Sequence, residues 1–283
     1  MSARVILLFA PFYSCFSFPF RNGHLTHNIV MGTMELIVES DVKEFINRLP
    51  PLDNPDKVHL IMLAIRSRKA RELMGFKTHD LVVERKVIRA YPDWKERYLN
   101  VVYNFSLLQH QGRYSVKGNL APPQAMGIFA TVTPRSVMHA VKDYMSDNLS
   151  LMINRTADNI MELAKNSSRF FGCLHSHKAK DSGAFVTLDI DRDDPDLLKM
   201  IIEDVKEIPV WMQTETSRGY HLILNVSNRA DAAKFYGQNG LMQKLGLDFC
   251  SRIVEIQRDS QEPIPGTLYY RRPDELHYVK ILI

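Results

Sequence analysis

The heptapeptide FVTLDID, Phe185–Asp191, constrains the fold more than any other stretch of this chain. Phe185, Val186, Leu188 and Ile190 form a short apolar run of the kind that favours a strand. Side chains on a strand alternate between faces, so Asp189 and Asp191 project from one side. Two carboxylates placed together repel each other, and a buried unpaired charge is costly. A strand that carries both calls for cations between them, and hard oxygen ligands suit Mg²⁺ or Mn²⁺. The competing reading is a strand that ends in a polar turn, because Asp193 and Asp194 follow and Pro195 suits the first position of a helix capped by Asp194. A calcium loop is excluded: its sixth position would be Asp194 rather than Gly, and its twelfth Met200 rather than Glu.

Two later stretches add to this pair. In TSRGYHLIL, Thr216–Leu224, the residues Ser217, Arg218 and Gly219 form a turn that enters a strand. Gly219 permits a tight bend and a close approach of the backbone to a ligand. Ser217 offers a hydroxyl and Arg218 a planar fork suited to phosphate oxygens. His221, at the start of the strand, reads as a phosphate ligand beside them and as a core histidine without them. In RIVEIQRD, Arg252–Asp259, Glu255 is a charge inside an apolar strand, with Asp259 as the rival acid and a solvent-facing Glu255 as the simpler reading. Three acids and a phosphate-binding turn are the minimum for moving a nucleotide with two divalent metals.

The order of these residues resembles the archaeo-eukaryotic primase superfamily of primases and primase-polymerases. The resemblance rests on Asp189 and Asp191, then Ser217, Arg218, Gly219 and His221, then Glu255. Two further stretches are similar: Ile128–Arg135 looks like a strand ending in Asn-Pro-Arg, with Thr133 for Asn, and Pro263–Thr267 looks like a Pro-Gly-Thr loop. The similarity spans about residues 120 to 283. It implies an α+β catalytic core related to RNA-recognition-motif folds, with an antiparallel sheet carrying the metals and helices behind it. It implies template-directed nucleotidyl transfer, as a DNA primase or DNA polymerase adding nucleotides from NTP or dNTP to a 3′-hydroxyl. Asp189, Asp191 and Glu255 would hold two Mg²⁺ or Mn²⁺ ions, and Ser217, Arg218, Gly219 and His221 would meet the triphosphate. The implied partners are a single-stranded DNA template, its primer and a helicase or other replication protein. The motifs fit starting a chain as well as extending one, and ribo- as well as deoxyribonucleotides.

Charge distribution points the same way. Lys57 to Arg97 holds eleven Lys or Arg against five Asp or Glu, a local excess of six positive charges in a chain of formal charge +4. Asn54-Pro55 reads as a helix start and Gly75 as its end, a second helix is expected from Thr78 to Tyr91, and a third from Trp94 to Leu108. Residues 34–112 are therefore expected as a basic helical region that grips nucleic-acid backbone, or as a solvated helical face. Gln111–Gln124, with Gly112, Gly118 and Pro122-Pro123, reads as a linker to a catalytic domain at 120–283. In that domain a strand is expected at Gly127–Thr133, and helices at Ser136–Tyr144, through Met161–Lys165, at Asp196–Glu207 and at Asp231–Leu245.

Residues 1–33 do not fit the rest. Val5 to Phe20 is apolar but broken by Pro11 and Pro19, and it is too short for a membrane span, so no membrane partner is expected. Met31 and Met34 are candidate natural starts, with the preceding part an over-extended start or a disordered tail. Three scattered cysteines, Cys15, Cys173 and Cys250, fit a reducing cytoplasm. Cys173, His175 and His177 raise a zinc site that lacks a fourth ligand at finger-like spacing. Two alternatives stay open. One is a non-catalytic single-strand-binding module of the primase fold. The other is a rolling-circle initiator endonuclease, for which His175-Ser176-His177 would be the metal-binding pair.

Overall fold

The computed structural model describes residues 35–75, 79–112, 114–116, 118–154, 156–163, 166–180, 185–237, 240–241, 243, 254–257, 261–270 and 277–283. The expectations for residues 1–33, Cys15, Cys250, Arg252, Asp259 and the end of the Asp231–Leu245 helix lie outside the described residues. In chain order the elements begin α1 (Glu39–Arg48), β1 (Lys57–Ile65), α2 (Ser67–Met74), β2 (Leu81–Arg89) and α3 (Trp94–Gln111). They continue with β3 (Ser115–Val116), β4 (Asn119–Leu120), β5 (Met126–Thr131), β6 (Arg135–Ser136), α4 (Val137–Ile153), α5 (Ala157–Leu163) and α6 (Asn166–His175). The last third holds β7 (Phe185–Ile190), α7 (Pro195–Asp204), β8 (Val210–Glu215), β9 (Tyr220–Asn225), α8 (Arg229–Tyr236), β10 (Val254–Gln257), β11 (Gln261–Pro263) and β12 (Lys280–Ile281). The class is α+β, and no described helix is long and apolar enough to cross a membrane.

Two antiparallel sheets organise the chain. The first has the order β11-β5-β1-β2, with β6 pairing the start of β1. Its centre, β1, is buried at every position but the first, and alternation explains how. Ile61, Leu63 and Ile65 join Met126 and Ile128 of β5 against Val42, Phe45 and Ile46 of α1 and Tyr98, Val102 and Phe105 of α3. Val58 and Leu60, on the other face, meet Ala140 of α4 and Leu174 of α6.

This sheet corrects the helices expected between Pro55 and Tyr91. Lys57–Ile65 is a strand because a strand covered on both faces is apolar throughout, a pattern that periodicity alone cannot tell from a buried helix. Asn54 belongs to the turn before it, its side chain accepting from Asp56 N at 2.9 Å. The expected helix shrinks to α2, which does end at Gly75, in the left-handed region at φ 74°. The second expected helix is the edge strand β2, whose Glu84, Arg85 and Lys86 are helix formers in isolation but blunt a sheet edge here. The third helix stands as α3. The 34–112 region is thus not wholly helical, and β1 and β2 share a sheet with β5 across the expected linker. That stretch contains the β3–β4 hairpin.

The second sheet has the order β10-β7-β9-β8-β12. Val186, Leu188 and Ile190 of β7 and Leu222 and Leu224 of β9 face Leu198 and Ile201 of α7 and Phe235 of α8. The opposite face of β7 and β9 therefore carries Phe185, Thr187, Asp189, His221 and Ile223. Helix α7 starts as expected, with Asp194 accepting from the Asp196 and Leu197 amides and Pro195 in its first turn. The Pro263–Thr267 loop is held by backbone: Gly266, at φ 78°, accepts from Val38 N at 2.8 Å, and a Cβ there would meet Val38 O at 2.4 Å.

His59, fully buried on β1, packs against Trp94 and donates from Nε2 to Pro50 O at 3.0 Å. Burial pulls its pKa from 6.5 down to about 4, against the smaller opposing effect of its backbone bonds. The unfolded chain binds this proton first, so the contribution is complete above pH 6.5 and is lost as pH falls toward 4. Denaturant unfolding across that window should show about 3 kcal/mol of acid destabilisation that His59→Gln abolishes. An unchanged pH slope in the variant would contradict a neutral buried imidazole.

Candidate active site

Strand register builds the site. Asp189 on β7 stands directly opposite His221 on β9, and on its other side directly opposite Glu255 on β10. Three residues from three separate stretches of sequence thus form one row across three adjacent strands, where directly opposed Cβ atoms are about 5 Å apart. Asp191 lies just past the end of β7, exposed to solvent.

Hydrogen bonds fix the row. Asp189 Oδ1 lies 3.3 Å from His221 Nε2, and Asp189 Oδ2 accepts from Gln257 Nε2 at 3.0 Å. The other ring nitrogen, His221 Nδ1, lies 2.7 Å from Glu262 Oε2, and Thr187 Oγ1 donates to Glu262 Oε1. Burial raises the Asp189 pKa; the charges of Asp191, Glu262 and Glu255 add to this, and His221 opposes it. For His221, burial disfavours the charged ring but is outweighed by Glu262, Asp189 and Asp191, which push its pKa up to about 9. An imidazolium therefore sits beside the carboxylates of Glu262, Asp189 and Asp191 at neutral pH. Asp189, Asp191 and Glu255 offer only oxygen donors, the type that hard divalent cations take. Among the described residues, no three acid, His or Cys side chains are already gathered as a metal cage.

The turn between β8 and β9 is closed by Thr216 N donating to Gly219 O at 2.9 Å. Gly219 makes a close approach, but to the chain itself rather than to a ligand: a Cβ would lie 1.8 Å from Ile190 O and 2.7 Å from Arg192 N. The glycine lets the turn press against the peptide that carries Asp191. Ser217 is buried, and its hydroxyl has no hydrogen-bond partner among the described residues. Arg218 reaches away from the turn to Glu72 on α2, with Nη2 3.0 Å from Oε1.

Asp189, Asp191, Arg218 and His221 line one cleft of about 430 Å³. Ser217, Gly219 and Glu255 are not on its lining. The opposite wall comes from the first sheet, α2 and the segment after β11, through Arg66, Arg68, Lys69 and Tyr269, with Ala64, Val82 and Phe129 on the apolar side. Arg66 stacks on the Tyr269 ring at 3.9 Å. Lys69 is buried, and its Nζ lies 2.9 Å from Glu72 Oε2. The basic residues expected to grip nucleic acid in a separate module thus face the acids across a single cleft.

Sequence reasoning missed Glu262 and Gln257. Glu262 follows Asp259, Ser260 and Gln261 and precedes Pro263, so no break in an apolar pattern marks it; Gln257 lies two residues after Glu255, on the same strand face. In the Ile128–Arg135 stretch, Arg135 is buried and donates from Nη1 to Ser176 O at 3.2 Å. Cys173 Sγ lies 4.0 Å from Asp147 Oδ2, and His175 Nδ1 lies 2.9 Å from Gln261 Nε2. The side chain of His177 is outside the described residues.

Gly219→Ala should cost about 1–3 kcal/mol or more in denaturant unfolding, because the peptide it meets has no room to yield. It should also move the amide resonances of residues 190–192, and wild-type stability with unmoved resonances would refute the close approach. No family model, curated protein or solved structure matches this chain.

Proposed function

We propose that this protein is a template-directed nucleotidyltransferase of the primase-polymerase type, with an RNA-recognition-motif-like catalytic core. The observation that carries the reading is the cleft, whose lining brings the acids Asp189 and Asp191 together with His221, Arg218, Arg66, Arg68 and Lys69. Acids alone would serve a metal site, and cations alone an anion site. A nucleoside triphosphate with its divalent ions needs both within one molecule's length.

In this reading Asp189, Asp191 and Glu255 hold Mg²⁺ or Mn²⁺. When bound, such ions neutralise developing charge and lower the pKa of an attacking 3′-hydroxyl. His221, protonated at neutral pH, donates from Nε2 to phosphate oxygens. Arg218, released from Glu72, forks onto the same anion, and Ser217 supplies its unpaired hydroxyl after a small movement of the turn. Arg66, Arg68 and Lys69 on the far wall neutralise the phosphates of a single-stranded template and primer. The reacting strands are DNA, a helicase or other replication protein is the expected partner, and the setting is the cytoplasm. One observation favours the non-catalytic reading: both Asp189 oxygens already face a neighbour, His221 and Gln257.

The test is primer extension on single-stranded DNA with NTP or dNTP and Mg²⁺ or Mn²⁺, with and without an annealed primer. Asp189→Asn/Asp191→Asn should lose about 100-fold or more in rate, with smaller loss of nucleotide binding. Equal rates would move the chemistry elsewhere. Wild-type protein that binds single strands and makes no product would be a binding module, and cleavage to a protein-linked end would indicate an initiator.

A further inference from the structure

Glu262 joins the row's hydrogen-bond network from the other sheet. It lies on β11, opposite Ala130 of β5, and only 2 % of its surface is exposed. Its carboxylate crosses to the second sheet, where one oxygen accepts from Thr187 Oγ1 and the other lies 2.7 Å from His221 Nδ1. Removing a carboxylate from water costs several kcal/mol, and an apolar side chain of similar size often fills such a position as well or better. The acid is therefore a poor choice for packing alone. What it does uniquely is occupy one nitrogen of a ring whose other nitrogen points toward Asp189.

Resting on the reading of the cleft as a nucleotidyl-transfer site, we infer that Glu262 is a positioning residue for His221. By accepting from Nδ1–H, it sets the ring plane and leaves Nε2 as the one nitrogen presented to the cleft. Thr187 holds the carboxylate from behind, so the orientation is fixed by two sheets at once. A ring bonded at Nδ1 to a carboxylate is oriented in the way that a metal-bound histidine is oriented by its outer partner. Glu262 does not line the cleft. Its effect reaches the nucleotide only through the imidazole.

The experiment has two arms. In the first, ¹⁵N-labelled protein without nucleotide is examined by imidazole NMR. The His221 Nδ1 signal should carry the signature of a strong hydrogen bond in wild type, weaken in Glu262→Gln and disappear in Glu262→Ala. In the second, nucleotide KM and kcat are measured for Glu262→Ala, His221→Ala and the double variant. Glu262→Ala should raise KM about tenfold or more with a smaller change in kcat, while in the His221→Ala background it should change KM less than about twofold. Additive losses in the double variant, or an unmoved ring signal, would overturn the positioning role. If Glu262→Ala does not fold, Glu262→Gln decides both arms by the same criteria, with an intermediate KM expected. A ring signal that moves in a wild-type protein devoid of transfer would sink the catalytic reading and leave the positioning intact. Active wild type with an unmoved signal would do the reverse.

Discussion

The end of β7 is organised by the difficulty of keeping carboxylates out of water. Asp189 is three-quarters withdrawn from solvent, with side-chain exposure of 22 %, and Asp191, Glu255 and Glu262 all raise its pKa. Such a cluster persists only if positive charge is supplied close by. The chain supplies it from within as the His221 imidazolium, and antiparallel register puts that ring directly across from Asp189. A slip of one residue between β7 and β9 would turn either Asp189 or His221 into the apolar layer beneath α7 and α8. The register is therefore an electrostatic requirement as well as a packing one.

The second consequence concerns the two sheets. Phe185, Met212 and Ile223 of the second sheet share an apolar core with the first, and polar side chains link the two sides of the cleft at two further places. Glu262 joins β11 to β7 and β9, and Arg218 joins the β8–β9 turn to α2 through Glu72. Glu72 itself balances Lys69 as well as Arg218, and these cations hold its carboxyl below the ordinary range. Without ligand, Arg218, Lys69 and His221 thus already have acidic partners. A polyanion entering the cleft would exchange one set of ion pairs for another instead of meeting bare charge.

What could be read in advance divides along a physical line. Local rules served where local interactions decide: the strand at 185–190, the Asp194 cap with Pro195, the stop at Gly75 and the helix from Trp94. They failed for Lys57–Ile65, where burial on both faces erases the alternation that marks a strand, and for Leu81–Arg89, where charged helix formers were pinned into an edge by pairing with β1. The acids at 189, 191 and 255 were conspicuous because each interrupts an apolar pattern. Their assembly into a row with His221 was not visible, since pairing partners are chosen by tertiary structure. Glu262 was passed over because a short strand beside two prolines reads as a loop. The role assigned to Gly219 shows the same limit: the need for a missing side chain was legible, but not what would occupy the space.

The strand order of the first sheet also has a bearing on how the molecule forms. The β1–β2 hairpin is local, but β11 must return to β5 from far along the chain, Gln261 pairing with Thr131, and only then does Glu262 meet Thr187 and His221. Contacts so distant along the chain are late and slow to form, since the entropy of closing the loop is spent before the contact rewards it. Without that strand, β7 and β9 still set Asp189 opposite His221, but the ring lacks the Glu262 carboxylate at Nδ1.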